Sequence, residues 1–317
     1  INSKQKEFNI FWGINMEASS GMVADASKRI AIEPEVFAFF DHGSNTFSYV
    51  ARDPQSQSCA VIDSVLDFDY SSGTISYDSA DEIIKYIQHH NLKVQWHIET
   101  HVHADHLSAG PYLQKHLGGK LAIGEHIVTV QETFGKIFNE GTDFQRDASQ
   151  FDHLFKDGET YQIGKLQAKT IHTPGHTPAC MVHVIGKSAF VGDTIFMPDS
   201  GTARADFPGG SAKQLYQSAQ KILKLASDTK LYICHDYGGE GREVSYQTTV
   251  AEQRRENVHV GKDISENQFV AVREKRDSTL STPRLMIPAI QVNMRAGHFP
   301  KAHGNGVVYL KLPINSL

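Results

Sequence analysis

Several features that mark other protein classes are scarce in this chain. Only three of its 317 residues are cysteine, namely Cys59, Cys180 and Cys234. An odd and widely spaced set argues against a disulfide scaffold. It is typical of buried core cysteines in a reducing compartment, so we expect a cytoplasmic protein. No apolar run approaches the roughly 20 residues that cross a bilayer, and we therefore expect no membrane partner.

An excess of charge of one sign is also missing. The formal net charge is −5, which provides no basic surface for nucleic acid or anionic lipid. Hydrophobic residues make up 40% of the chain and charged residues 21%, as in ordinary globular proteins. A chain of 317 residues can form one large core, or a core with an appendage.

Histidine, by contrast, is concentrated in one short stretch. His101, His103, Asp105 and His106 fall within six consecutive positions, after an apolar-rich run at 94–100 that predicts a strand. A loop at the end of a strand can direct adjacent side chains to one point, which a regular helix or strand cannot do. Imidazole and carboxylate together favour zinc or iron, whereas sets of oxygen ligands favour calcium or magnesium.

Three later positions extend this set of possible ligands. His176 lies in a Pro/Gly turn, while Asp193 and His235 each follow a predicted strand. Taken singly, His176 and Asp193 are each explained equally well by a structural role and by a functional one. Together with the first stretch they give up to seven candidate ligands, all in loops or at strand ends.

Hydrophobic periodicity and turn residues predict alternating strands and helices. Strands are predicted at 36–40, 46–50, 59–63, 94–100, 162–171, 179–185, 188–195 and 231–234. Helices are predicted at 79–90 with Ser79 as N-cap, and at 111–117, 128–138 and 211–226. Beyond residue 237 the pattern predicts helices at 244–257, 264–279 and 283–297, then a strand at 307–312. These patterns alone indicate a mixed α/β protein.

The ordered motifs carry a more specific signal. Four motifs follow one another in the order His-x-His-x-Asp-His, Gly-His-Thr, Gly-Asp and a last His. In this order they closely resemble the motifs of the metallo-β-lactamase superfamily, over at least residues 36–257. The resemblance implies an α/β fold, the α/β/β/α sandwich, with a C-terminal helical appendage. It divides the chain into an N-terminal extension (1–30), a catalytic domain (31–257) and the appendage (258–317) packed on it.

The same resemblance implies how the candidate ligands are shared. One metal site would use His101, His103 and His176, and a second would use Asp105, His106 and His235, with Asp193 bridging both. In hydrolytic members of the superfamily, a water between two zinc ions is deprotonated near neutral pH and attacks a carbonyl group.

Two further segments resemble the persulfide dioxygenase (sulfur dioxygenase) branch, which is related to glyoxalase II. They are Ser200–Phe207, which contains Thr202 and Arg204, and His235-Asp236-Tyr237 with the segment up to Asn257. In that branch a single iron(II) would be held by His101, His176 and Asp193. The other four candidates would surround it or form a second site without an ion, namely His103, Asp105, His106 and His235.

The branch also implies a reaction and substrate contacts. Glutathione persulfide, dioxygen and water would give glutathione and sulfite. Arg204 and Tyr237 are expected to act as catalytic residues, and together with Thr202 to bind the substrate. The alternatives are a salt bridge from Arg204 to Asp206 and a packing role for Tyr237. A homodimer is expected. The runner-up function is a dinuclear zinc hydrolase of a thioester or lactone.

Overall fold

The computed structural model describes residues 33–239, 241–261 and 263–316, so the predicted N-terminal extension lies outside the described residues. Its strands are β1 (Glu35–Asp41), β2 (Thr46–Arg52), β3 (Ser58–Ile62), β4 (Val65–Asp69), β5 (Thr74–Ser76), β6 (Lys93–Ile98), β7 (Leu107–Ser108), β8 (Lys120–Gly124), β9 (His153–Phe155), β10 (Thr160–Ile163), β11 (Leu166–His172), β12 (Met181–Ile185), β13 (Ser188–Phe190), β14 (Lys230–Tyr232) and β15 (Gln247–Thr249). Its helices are α1 (Asp78–His89), α2 (Gly110–Leu117), α3 (Ile127–Ile137), α4 (Ala212–Leu223), α5 (Val250–Glu256), α6 (Glu266–Asp277) and α7 (Met286–Asn293).

Two six-stranded sheets form the centre of the molecule. Their strand orders are β1-β2-β3-β6-β8-β9 and β10-β11-β12-β13-β14-β15, and a small sheet has the order β5-β4-β7. A buried apolar cluster draws Tyr49, Ile62 and Phe155 from the first sheet and Phe190 and Tyr232 from the second. The two sheets therefore face each other across the main core.

Helices cover the outer faces of both sheets. The first sheet packs against the apolar sides of α1, α2 and α7, through residues such as Ile83, Leu113 and Ala289. The second packs against α4 through residues such as Leu215, and Phe269 of α6 belongs to the same buried cluster. Each sheet thus buries two faces, and the predicted α/β/β/α sandwich with C-terminal helices is confirmed.

Most predicted strands and helices are present, with three corrections before residue 196. The strand predicted at 188–195 ends at Phe190. Residues 162–171 form parts of two strands, because Gly164 and Lys165 make a tight turn between β10 and β11. Helix α1 begins at Asp78, so Ser79 is not its N-cap. The carboxylate of Asp67 on β4 accepts the Ser79 N–H at 3.0 Å instead, and this bond replaces a local cap.

The C-terminal predictions need two corrections. The segment 244–257 contains strand β15 before helix α5, because Thr249 and Glu252 form a capping box at that point. Residues 307–312 form no strand in the described part of the chain. The side chain of Gln291 exchanges hydrogen bonds of 2.8 and 2.9 Å with the backbone of Lys311, in place of a neighbouring strand.

All three cysteines are buried and free, as predicted. Within the described ranges, the longest and most apolar helices still fall short of what is needed to cross a membrane. The predicted domain boundaries stay predictions.

A buried histidine of β6 makes the fold sensitive to acid. Nε2 of His97 lies 2.7 Å from the carbonyl oxygen of Gly118, and burial lowers the pKa of His97 from 6.5 to about 4. The unfolded chain therefore takes up this proton first. The contribution of His97 to the free energy of unfolding is fully present above pH 6.5 and is lost as the pH falls toward 4. The total loss is about 3 kcal/mol.

We expect His97→Gln to reduce the pH dependence of stability over this interval, because glutamine does not titrate. As the pH is lowered, the free energy of unfolding of this variant should fall by about 1 kcal/mol less per pH unit than that of the wild type. Urea unfolding of chelator-treated protein measures it. His116→Gln, at an exposed position, is the control. Parallel curves for wild type and His97→Gln would contradict this assignment.

Candidate metal centre

The candidate ligands meet where strands of both sheets end. The loop His101–His106 follows β6, Asp193 follows β13, and His235 follows β14. β3 and β6 are parallel, as are β13 and β14, so the carboxyl ends of each pair lie at the same edge. Two backbone bonds of 2.9 and 2.8 Å join the sheets at this edge, from Met181 N to Thr100 O and from Phe47 N to Cys234 O.

Two glycines of the motifs are required by close approach of the backbone. Gly175, before His176, has φ 140°, and a Cβ there would collide with the backbone of Leu215 in α4. Gly192, before Asp193, has φ 49°, and its Cβ would lie 2.6 Å from Oγ1 of Thr100. Glycine at these positions lets both ligand candidates reach the β6 loop.

His101, His176 and Asp193 form one compact group. One donor atom from each lies within 4.8 Å of the others, and all three residues are buried. Oδ2 of Asp193 is 3.8 Å from Nε2 of His101 and 3.5 Å from Nε2 of His176. The group consists of two imidazoles and one carboxylate.

The remaining candidates lie beside this group. His103, Asp105 and His106 form a second set of donors within 4.8 Å of one another. Nε2 of His235 is 3.5 Å from Oδ2 of Asp105 and 3.2 Å from Oδ1 of Asp193. Asp193 therefore presents one oxygen to each side of the site, and the structure brings all seven candidates together.

These donors match what a bound cation requires. Nε2 of His101, Nε2 of His106 and Nδ1 of His103 are buried and have no hydrogen-bond partner among the described residues. Nε2 of His235 and Oδ1 of Asp193 are also buried, and they face each other at 3.2 Å without the geometry of a hydrogen bond. Buried polar atoms are normally paired, since each unpaired one costs roughly 1–3 kcal/mol. A metal ion satisfies such lone pairs, so the residues present fit the metal that the motifs imply.

Asp63 orients the histidine loop and was not among the predicted site residues. Its carboxylate accepts hydrogen bonds from Thr100 N, Thr100 Oγ1 and His103 Nε2, at 2.7, 2.9 and 2.9 Å. Because the Thr100 hydroxyl donates to Asp63, it must accept from Nδ1 of His101, 3.1 Å away. Nε2 of His101 and Nδ1 of His103 are then left with free lone pairs.

Asp63 has an unusual backbone conformation that serves this role. Its φ is 53°, in the left-handed region, directly after strand β3. Asp tolerates this region better than most residues, but the conformation still costs energy. It turns the carboxylate under the loop that follows β6. The only sequence signal is an aspartate that ends a buried apolar strand.

Two more residues that sequence reasoning missed hold the site. The side-chain amide of Asn293 on α7 donates to the carbonyl oxygens of His103 and His106, at 2.9 and 2.8 Å. Its Oδ1 accepts from Ser108 N at 2.8 Å. Oγ1 of Thr46 lies 3.2 Å from Nδ1 of His235 and 3.1 Å from Oδ2 of Asp105. Neither residue was assigned a role at the site from the sequence.

The charges of the site favour a cation. Burial lowers the pKa of His101 well below its usual range, and the neighbouring His103 and His176 lower it further. Burial alone would also lower the pKa of His235, but Asp105 and Asp193 outweigh it and raise that pKa well above the usual range. A metal ion would take the place of this proton, because ligand imidazoles must be neutral.

A cavity of about 960 Å³ opens onto the group and contains the predicted substrate residues Thr202, Arg204 and Tyr237. Arg204 pairs with both oxygens of Asp206, at 2.6 and 2.7 Å, and donates to the carbonyl oxygen of Ser281 at 2.7 Å. The salt bridge considered from the sequence is therefore present. Thr202 contributes its backbone N–H to Nδ1 of His259, and the Tyr237 ring stacks 6.4 Å from His235. Their contacts with a substrate stay predictions.

A sheet sandwich with buried imidazole and carboxylate donors at one edge defines a class of metal-dependent enzymes. A model of the metallo-beta-lactamase superfamily matches residues 43–235 of this chain. The chain belongs to the metallo-β-lactamase superfamily, as its motifs predicted.

The relatives of the chain carry names of different activities. It is 51% identical over 292 residues to a probable metallo-hydrolase of Burkholderia pseudomallei, covering 89% of this chain and 99% of that protein. It is 47% identical over 276 residues to glyoxylase B2 of Dictyostelium discoideum, covering 86% and 94%. It is 30% identical over 261 residues to the human mitochondrial persulfide dioxygenase ETHE1, covering 81% and 87%.

A solved structure agrees with the last of these. The crystal structure of ETHE1 from Myxococcus xanthus matches with a TM-score of 0.67 and 26% identity, over 83% of this chain and all of that one. The fold is therefore shared with ETHE1, while the names of the relatives include both hydrolase and dioxygenase.

We expect Asp63→Asn to weaken metal binding about 10- to 100-fold, because residues that orient metal ligands typically contribute this much. Asparagine fits the left-handed backbone and keeps the shape, but it removes the negative charge beside His103. Titration with a competing chelator measures the affinity.

Asp53→Asn is the matched control for this variant. Asp53 is also a buried aspartate just after a strand, and it accepts backbone hydrogen bonds from Gln55 and Lys165. It touches none of the seven candidate ligands. We expect this variant to lose stability and keep its metal affinity. Equal affinities in Asp63→Asn and the wild type would refute the orienting role of Asp63.

Proposed function

We propose that this protein is an iron-dependent persulfide dioxygenase that acts on glutathione persulfide. One persulfide, one dioxygen and one water would give glutathione and sulfite. The two sulfur atoms of the persulfide together lose four electrons, and dioxygen gains them. Glutathione as the carrier, the iron, the homodimer and the cytoplasmic location are all parts of this proposal.

The observation that carries the proposal is the composition of the compact group. His101, His176 and Asp193 form a two-histidine, one-carboxylate set, which is typical of non-haem iron enzymes that use dioxygen. When bound, iron(II) would supply electron transfer between sulfur and dioxygen, at the coordination positions that three protein ligands leave open.

The chain prepares this set through hydrogen bonds to the outer ring nitrogens. Nδ1 of His176 donates to the carbonyl oxygen of Arg204 at 2.8 Å, which leaves the lone pair on Nε2. The network of Asp63 and Thr100 does the same for His101. Both imidazoles are thus held in the tautomer that can bind a metal, without rearrangement.

Burial contributes a second condition. His101 is 1% exposed and His176 4%, so water reaches the group chiefly through the cavity. A substrate that fills this opening would shield its terminal sulfur from bulk solvent. Exclusion of water would favour transfer of oxygen to that sulfur over side reactions.

The similarity to ETHE1 supports this proposal, and the names of other relatives support an alternative. Asp193 presents one oxygen to each side of the site, as a bridging ligand of a dinuclear zinc hydrolase would. Such an enzyme would cleave a thioester, as glyoxalase II does, or a lactone. The two functions share every candidate ligand and differ in metal content and in the use of dioxygen.

Metal content measured together with oxygen uptake separates the two functions. We expect about one iron per chain, and oxygen consumption when glutathione persulfide is added, because three protein ligands suffice for one iron. Two zinc ions per chain, no oxygen uptake and hydrolysis of S-lactoylglutathione would refute the dioxygenase.

Two matched alanine variants test which residues hold the metal. His176→Ala should lose the iron and the activity, because it removes one of three ligands. His235→Ala removes an equally buried histidine outside that group, and most of the iron should remain. Equal losses of metal in both variants would indicate the dinuclear centre.

A further inference from the structure

The arginines around the cavity are not all neutralised. Arg204, Arg273, Arg276 and Arg284 line the cavity that opens onto the metal group. Of these, Arg204 pairs with Asp206, and Arg273 pairs with Asp277 at 2.6 Å. Both pairs fix loops and helices of the wall, and neither leaves a full positive charge for a ligand.

The acidic residues of the cavity are also accounted for. Asp199 pairs with Arg242, which lies outside the cavity lining, at 2.9 Å. Asp105 and Asp193 belong to the metal centre, where a divalent cation would balance them. Arg276 and Arg284 remain. Neither forms an ion pair with any residue in the described part of the chain.

These two arginines come from the C-terminal part of the chain. Arg276 lies in the last turn of α6, and Arg284 precedes α7 by two residues. Both are exposed, so their guanidinium groups keep several N–H donors free. A guanidinium binds a carboxylate in a bidentate manner, which makes a pair of them a suitable site for an organic dianion.

We propose that Arg276 and Arg284 bind the carboxylates of the thiol carrier while its sulfur faces His101, His176 and Asp193. The cavity of about 960 Å³ is large enough for a tripeptide-sized ligand. This inference rests on the proposed function for the identity of the carrier, since glutathione has two carboxylates. It assigns the recognition of the substrate to the C-terminal part of the chain rather than to Arg204.

Binding can be measured without turnover. S-methylglutathione keeps both carboxylates of glutathione but has a blocked sulfur, so calorimetric titration into the iron-loaded protein reports on the carrier alone. Arg276→Gln and Arg284→Gln should each weaken binding about tenfold, the usual effect of losing one charge-assisted hydrogen-bonded contact.

Two controls separate the loss of a specific contact from a general loss of charge. Lys275→Gln changes an exposed cation next to Arg276 that does not line the cavity, and it should bind like the wild type. The dimethyl ester of S-methylglutathione should bind weakly to the wild type, and the arginine substitutions should weaken it no further. Circular dichroism and iron content establish that each variant is folded.

Wild-type affinity for S-methylglutathione in both arginine variants would overturn the inference, and so would failure of the wild type to bind this ligand. The outcome is independent of the reaction. If the wild type consumes no oxygen but the arginine variants bind tenfold more weakly, the dioxygenase is refuted and the carboxylate site stands. The same variants should then raise KM for S-lactoylglutathione and leave kcat nearly unchanged.

Discussion

The structure is organised around polar atoms that are buried at its centre without hydrogen-bond partners in the described residues. Four imidazole nitrogens and one oxygen of Asp193 share this condition, although each would gain free energy from water. A folded chain tolerates them because a bound cation satisfies the lone pair of His101, and ordered water in the polar space beside it can satisfy the others. The fold supplies the rigid support that keeps these atoms converging on one region.

This support comes from both sheets and from the C-terminal helices. Parallel strand ends bring His101, Asp193 and His235 to one edge, and backbone bonds such as Met181 N to Thr100 O hold the sheets together there. Asn293 adds a clamp from α7 onto the carbonyl oxygens of the histidine loop. The C-terminal helices therefore take part in the site, both under the metal loop and at the cavity wall.

Sequence reasoning predicted the fold class and the seven candidate ligands, because each motif is a short run of consecutive residues in a loop or after a recognisable strand. It missed Asp63 and Asn293, whose partners lie up to 40 and 190 residues away along the chain. It predicted Ser79 as an N-cap, because a local pattern cannot show that the carboxylate of Asp67, on strand β4, accepts a hydrogen bond from the start of α1. For Arg204 the sequence left two roles open, substrate binding and a salt bridge to Asp206. The salt bridge and the bond to Ser281 are visible only in the folded loop.

The proposed dioxygenase activity depends most on a single metal held by His101, His176 and Asp193. Crystals of the metal-loaded protein, measured on either side of the iron and zinc absorption edges, test this claim directly. We expect one anomalous peak at the iron edge, within bonding distance of these three residues. Two peaks bridged by Asp193, the second against Asp105, His106 and His235, would contradict the account.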